Sequence, residues 1–251
     1  VDYTLARAVK VDNHDATISS RASQTSLENE AANLFHLVEP QRGTHTGRGK
    51  MIHWMPVGGS DGNTGLTRAQ SLLTWAAVEA LITAYNHDIV FVHPIGGGQA
   101  TVVDATFAMS KAFTLLRGPG RDIKFKPTTS ANDTITITAP GCEMSGLIVE
   151  TRTSGSRDAI KLLADFARLK SVWADYSRGH ALAIENASHC DIDGLIIQEA
   201  AAGGSGHAIS VKSTSGNAKR NFFRNTRLLH NAGDGFRFDG VTSMLYYDHG
   251  L

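Results

Sequence analysis

The chain has 251 residues, of which 41% are hydrophobic and 19% charged, as in an ordinary globular protein and unlike a disordered chain. Its 24 basic residues balance its 24 acidic ones, so it lacks the basic excess of duplex-DNA binders and we expect no nucleic-acid partner. No apolar run approaches the roughly 18–20 residues of a membrane helix, which predicts no membrane insertion. Two cysteines exclude a disulfide framework and a four-cysteine zinc site. We predict no metal and no cofactor.

Residues 1–55 differ from the rest of the chain because they show no strand-like alternation. Residues 26–38 carry apolar residues at helical spacing, and Pro40 ends this predicted helix. The first residues contain no apolar segment of the secretory type. We therefore expect residues 1–55 to form a helical leader without a signal peptide.

Residues 56–98 contain a turn, a helix and a strand in that order. Asp61 lies in a cluster of turn residues, and the apolar spacing that follows predicts a helix from about Arg68 to Tyr85. The run from Asp88 to Val92 is a short β pattern closed by a proline. Asp61 begins like a calcium loop, but Leu72 stands where such a loop needs glutamate, so we reject a calcium site.

An internal repeat follows from residue 99 to the end. Each repeat has a turn residue, an Asp or His, a small residue, an apolar residue, any residue and a second apolar residue. The five copies are residues 132–137, 157–162, 179–184, 206–211 and 233–238. A second apolar run lies between them at residues 144–149, 169–174, 192–197 and 223–228. A period of about 25 residues with short strands predicts stacked coils of a parallel β-solenoid.

The alternation within the repeat predicts two inward columns and one outward row. The first column is Ile135, Ile160, Leu182, Ile209 and Phe236, and the second is Ile137, Leu162, Ile184, Val211 and Phe238. The outward row is Thr136, Lys161, Ala183, Ser210 and Arg237. A shift of one residue would invert every face, so agreement across five coils supports this register. A solenoid has open ends, and the helix of residues 68–85 is placed to cap the first one.

Residues 58–94 resemble the first segment of pectate-lyase-like right-handed parallel β-helix proteins, and the coils at residues 133–238 agree with that family. The resemblance covers roughly residues 56–251 and implies an all-β, right-handed parallel β-helix. No cap follows the last coil in the sequence, so we expect either that the coils continue beyond residue 251 or that a partner subunit covers this end. The family includes polysaccharide lyases and hydrolases as well as bacteriophage tailspikes and tail fibres. The helical leader, the missing signal peptide and the uncapped last coil are similar to the phage group.

This resemblance implies a structural protein of a bacteriophage tail spike or fibre, located in the virion, that attaches to the host. The expected partners are two further copies of the chain in a homotrimer, tail or baseplate proteins through residues 1–55, and a bacterial surface polysaccharide along the coils. One alternative is a polysaccharide depolymerase, which would be secreted or extracellular. A second alternative is a purely structural tail or baseplate component. We favour a protein without enzymatic activity, because fold alone does not establish activity.

Asp133, Asp158, His180, His207 and Asp234 fall in one column of the repeat. Stacked about 4.8 Å apart, they would form a ladder able to act as an acid/base array or a metal site. The alternative, which we favour, is that each caps a turn by bonding its own backbone.

The segment 206–211 resembles the Gly-His-Gly segment of polygalacturonase-type hydrolases, which use aspartates on the previous coil. The catalytic set implied here is Asp191, Asp193 and His207, although the adjacent Asp-Asp pair and the Arg-x-Lys segment of that family are absent. Residues 172–175 resemble the Trp-x-Asp-His segment of pectate lyases, but Tyr176 replaces the histidine.

Four side chains are predicted to contact glycan: Trp173, Asp175, Arg224 and Arg237. Trp173 lies between inward positions, where its ring either stacks on a sugar or packs at the strand edge. The two arginines, together with Arg227, either bind acidic glycans or form a solvated surface.

Overall fold

A computed structural model of the chain describes residues 49–95, 101–127, 132–151, 157–200, 206–214, 218–240 and 246–248. The helix predicted for residues 26–38 lies outside the described residues. The described chain is a parallel β-solenoid in which three short strands make each coil, so the predicted all-β parallel fold is confirmed. Within the described ranges, no helix has the length and apolarity needed to cross a membrane.

The described strands form three parallel sheets, which the chain visits in the order A, B, C. Sheet A contains β1 Met51–Trp54, β2 Ile89–Val92, β5 Leu115–Arg117, β8 Glu143–Ser145, β11 Arg168–Lys170, β14 Asp191–Asp193, β17 Phe222–Arg224 and β20 Tyr246–Asp248. Sheet B contains β3 Thr101–Val103, β6 Ile123–Phe125, β9 Ile148–Glu150, β12 Trp173–Asp175, β15 Ile196–Gln198 and β18 Arg227–Leu229. Sheet C contains β4 Phe107–Met109, β7 Ile135–Ile137, β10 Ile160–Leu162, β13 Leu182–Glu185, β16 Ile209–Lys212 and β19 Phe236–Asp239.

The repeat found in the sequence is the register of sheet C. Residues of the first inward column pair directly on successive strands, as do those of the second. The columns are buried through the fourth coil, but Phe238 is 43% exposed, because β19 is the last described strand of its sheet. Ala183 and Ser210, predicted to face outward, are buried because their short side chains lie in one row with the longer Lys161 and Arg237.

The helix predicted from Arg68 to Tyr85 is shorter in the structure, where a 3-10 turn at Arg68–Gln70 precedes α1 at Trp75–Leu81. Asp61 fixes where α1 begins. Its carboxylate accepts hydrogen bonds from two backbone N–H groups and from the Thr74 hydroxyl, 2.7 Å away, and Thr74 caps the helix. These hydrogen bonds hold the pKa of Asp61 below its ordinary value.

Helix α1 packs on the first coil, as expected of an N-terminal cap. The Trp75 ring lies 5.2 Å from that of Trp54 on β1 and 4.5 Å from that of Phe107 on β4. The Trp75 indole N–H donates to the carbonyl of Ala108, 2.8 Å away. Strand β1 falls inside the segment 1–55 assigned to the leader, so the solenoid begins earlier than the sequence indicates.

Candidate functional site

The Asp/His column follows one edge of sheet C, and its first four side chains bond the backbone of the next coil. Oδ1 of Asp133 accepts from the N–H of Asp158 at 3.0 Å, and Oδ1 of Asp158 accepts from the N–H of His180 at 2.8 Å. Nδ1 of His180 accepts from the N–H of His207 at 3.0 Å, and Nδ1 of His207 from that of Asp234 at 3.3 Å. The structure thus corrects the expected turn caps: the ladder joins neighbouring coils rather than bonding its own backbone.

Steric contact between coils explains the Gly-His pattern. A Cβ atom on Gly206 would lie 2.0 Å from the carbonyl oxygen of Gly179, and one on Gly179 would lie 2.7 Å from that of Arg157. Glycine is therefore required at both positions whatever the following histidine does. Across the described ranges, no group of three or more His, Cys, Asp or Glu side chains is placed to hold a metal ion.

The three residues of the hydrolase hypothesis lie on two sheets. Asp191 and Asp193 are on β14 of sheet A, whereas His207 precedes β16 of sheet C. Arg224 holds the Asp191 carboxylate with two contacts of 2.6 and 2.7 Å, and Asn225 donates to Asp193 at 2.8 Å. The structure therefore does not bring these two carboxylates and the imidazole to one site.

The two arginines predicted to contact glycan already hold acidic partners. Arg224 bonds Asp191, and the Arg237 Nε lies 3.0 Å from Asp239. Their side chains are 45% and 49% exposed. They lie on sheet A and sheet C, so the structure places them apart from Trp173 and Asp175, which belong to β12 of sheet B.

Trp173 and Asp175 lie on the outer face of sheet B, since Ala174 between them is in the core. The Arg121 guanidinium lies 5.3 Å from the centre of the Trp173 ring. Asp175 pairs in register with Glu150 on β9, and Lys124 Nζ lies 2.5 Å from Oε1 of Glu150. We call Arg121, Lys124, Glu150, Trp173 and Asp175 the sheet B cluster.

The two carboxylates of the sheet B cluster differ in their surroundings. Glu150 is fully buried and is neutralised by Lys124 and by Lys126, 3.6 Å from its second oxygen. Asp175 is 9% exposed, and within the described chain its buried Oδ1 has no hydrogen-bond partner. Burial raises the pKa of Asp175, and Glu150 adds to this effect against the opposing charges of Lys124 and Arg121. Burial thus favours the protonated form of Asp175.

Sequence reasoning found Trp173 and Asp175 but missed the other three members. The aligned apolar runs stop at residues 149 and 174, one position before the column that contains Glu150, Asp175 and Gln198. Extending the alignment by one residue would have placed the two carboxylates side by side. Arg121 and Lys124 precede the first aligned repeat, so the repeat carries no signal for them.

A row of aromatic side chains follows the corner that leads into sheet A. Phe113, Phe166 and His189 have φ of 60°, 61° and 58°, and Gly141, at the same position on the coil between Phe113 and Phe166, has φ of 71°. The Phe166 and His189 rings stack 5.1 Å apart. At the corner between sheets A and B, the described residues with positive φ are Gly120, Gly146, Ser171, Gly194 and Asn225. Left-handed backbone favours such small residues, so the aromatic rings of the first corner are not required by the turn. Phe166 is 52% exposed.

Comparison with known proteins identifies the fold. No family model matches the chain, and no curated protein matches it. Among solved structures, a rhamnogalacturonan lyase is 18% identical with a TM-score of 0.56, covering 79% of this chain and 56% of its own. A pectin methylesterase mutant in complex with a hexasaccharide is 13% identical with a TM-score of 0.42, covering 76% of this chain and 68% of its own. The chain thus spans little more than half of the lyase, with which it shares the β-helix fold.

Proposed function

We propose that the chain is a polysaccharide-binding β-helix protein and that the sheet B cluster is its glycan site. The observation that carries this proposal is the juxtaposition, on one outer face, of the Trp173 ring, the Arg121 guanidinium and the Asp175 carboxyl group. An aromatic face accepts the apolar side of a sugar, while charged groups beside it bind hydroxyl or carboxylate groups. The rhamnogalacturonan lyase shows that this fold also serves polysaccharide chemistry.

The experiment is affinity electrophoresis of the full chain in gels that contain bacterial capsule or O-antigen polysaccharides. Trp173→Ala is expected to weaken binding by about tenfold, the order of one lost aromatic contact. Phe222→Ala is the matched control, since Phe222 is a 40% exposed aromatic residue on sheet A. Equal binding by wild type and Trp173→Ala would overturn the assignment of the site.

We further propose that the protein belongs to a bacteriophage tail spike or fibre and that its glycan binding serves host attachment. In this proposal three copies of the chain assemble, and the leader holds them to the tail. Its support is the resemblance described above, in which a non-β leader precedes a solenoid. Size-exclusion chromatography with light scattering tests it on the full chain and after deletion of residues 1–46, because a longer deletion approaches β1. A trimer is expected, and a monomer from both proteins would contradict the phage assignment.

A depolymerase is the second candidate, and the raised pKa of Asp175 favours it. A carboxyl group that retains its proton can protonate a glycosidic oxygen as the bond to the anomeric carbon breaks and water supplies the new hydroxyl group. Asp175→Asn separates binding from cleavage. Appearance of new reducing ends with the wild type, and their loss in this variant with binding retained, would establish an enzyme. Binding without new reducing ends in either protein would exclude it for the polysaccharides tried.

A further inference from the structure

The Asp/His ladder of sheet C consists of four side-chain-to-backbone hydrogen bonds, which we call rungs. Two of the four depend on neutral imidazoles. His180 Nδ1 accepts from the N–H of His207, and His207 Nδ1 accepts from the N–H of Asp234. A protonated Nδ1 carries a hydrogen and cannot accept. The carboxylates of Asp133 and Asp158, which accept on the preceding coils, keep acceptor lone pairs even when they are protonated. Acid therefore removes two rungs of one ladder and leaves the other two intact.

We propose that His180 and His207 form an acid-sensitive latch, in which protonation breaks the hydrogen bonds that their side chains accept from the His207 and Asp234 amides on the next coils. The two rings stack with centroids 5.3 Å apart and an interplanar angle of 16°. Two imidazolium charges at this separation repel each other, so protonation of one histidine opposes protonation of the other.

The charged groups around His180 come from two neighbouring strands and the residues just before them. Asp158 precedes β10 and accepts from the His180 N–H, Lys161 lies on β10, and Glu185 ends β13, the strand that follows His180. Burial, together with His207, holds the pKa of His180 below its ordinary value, and Lys161 acts in the same direction while Glu185 opposes it. His180 is thus neutral at physiological pH, as the observed rung requires.

His207 has two alternative partners on the same residue. Its Nδ1 lies 3.3 Å from the backbone nitrogen of Asp234 and 3.2 Å from Oδ2 of the Asp234 carboxylate. A bare Nδ1 accepts from the N–H, whereas an Nδ1 that carries a hydrogen donates to the carboxylate and leaves the N–H without its acceptor. Arg237 Nη1 is 3.4 Å from Nε2, on the opposite side of the ring. A hydrogen on Nδ1 of His207 therefore exchanges the bond from the Asp234 N–H for a contact with the Asp234 carboxylate.

Amide hydrogen exchange of the full chain, resolved by residue at about pH 7.5 and about pH 5, tests the latch. After correction for intrinsic rates, protection of the His207 and Asp234 amides is expected to fall about tenfold or more in acid. The Asp158 amide, which bonds the Asp133 carboxylate, serves as the internal control and keeps its protection. Equal loss at the His207, Asp234 and Asp158 amides would overturn the proposal.

Asparagine supplies an acceptor oxygen that does not titrate, so His180→Asn with His207→Asn is expected to keep both rungs at both pH values. If this double variant does not fold, His207→Asn alone is expected to remove the pH dependence at the Asp234 amide and keep it at residue 207. Persistent pH dependence at Asp234 in either variant would contradict the latch. A local readout is needed because His53 and His93 form another histidine pair near the first coil, 2.7 Å apart.

The latch lies on sheet C and the glycan site on sheet B. Its test uses no polysaccharide, so failure of glycan binding leaves the latch standing, and failure of the latch leaves the glycan site standing.

Discussion

Asp158 carries a charge where the fold favours a neutral group, and its replacement by asparagine is expected to stabilise the protein. The residue is 7% exposed, and burial, with Asp133 adding to it, raises its pKa from 3.8 to about 6. Its Oδ1 accepts from the N–H of His180, a role that an asparagine oxygen can fill without a charge. The Asp158→Asn change therefore keeps the rung and removes the cost of ionisation.

The sign follows from proton binding. Between about pH 4 and pH 6 the folded chain holds the Asp158 proton while the unfolded chain has lost it, so stability falls as the pH rises through this window. A difference of about two pKa units corresponds to roughly 3 kcal/mol, which is an upper estimate. Asp158→Asn is thus expected to raise the free energy of unfolding by about 2–3 kcal/mol at neutral pH and by nearly nothing below about pH 4.

Urea unfolding of wild type and Asp158→Asn at neutral pH and below about pH 4 measures this difference. Asp133→Asn is the matched control, because Asp133 makes the same kind of hydrogen bond from a side chain that is 20% exposed and lies beside Lys161, and its change is expected to stay within about 1 kcal/mol. A variant of Asp158 that is less stable than wild type by the same amount at both pH values would refute the reasoning. Such a result would mean that the carboxylate contributes a contact that asparagine cannot replace.

Three further predictions concern packing. Gly206→Ala is expected to destabilise the protein by several kcal/mol, since its Cβ would meet backbone of Gly179 at 2.0 Å; a melting temperature within about 2 °C of wild type would contradict this. Ile160→Ala is expected to cost about 2–5 kcal/mol in urea unfolding, because the side chain is fully buried. Burial raises the pKa of Cys142 to about 11 and of Cys190 to about 12, so native protein is expected to resist iodoacetamide at about pH 8, whereas unfolded protein reacts at both thiols.

The repeat alone was sufficient to predict the register of sheet C, because a period-2 pattern cannot slip by one residue without burying charge. The helix was predicted too long for a tertiary reason. Leu72 fits the apolar stripe of a helix, but it is buried by a parallel bridge to Trp54 and not by helix packing. Asp61 then holds the following residues extended until Thr74. Apolar spacing cannot distinguish these two ways of burying one leucine.

The candidate site was only partly predictable, because a repeat identifies columns and not the environment of each outward side chain. Trp173 and Asp175 share a strand and were found together. Glu150 belongs to the same outer column as Asp175, yet only the structure shows that it is fully buried beneath lysines. The pKa of Asp175 is raised by that burial. Its chemistry is therefore a property of the fold and not of a motif.

One ladder position accepts both aspartate and histidine because only an acceptor is required there, and the choice between them sets the pH range of the coils. The raised pKa of Asp158 lowers stability as the pH rises toward about 6. The lowered pKa of His180 acts in the opposite direction, since the unfolded chain takes up a proton below about pH 6.5 that the folded chain resists. Asp158→Asn is therefore expected to raise the stability of the protein at the alkaline end of this pH range, and His180→Asn to raise it at the acid end. Urea midpoints measured across this range test the expectation. It would be contradicted if both variants raised the midpoint over wild type at the same end of the range.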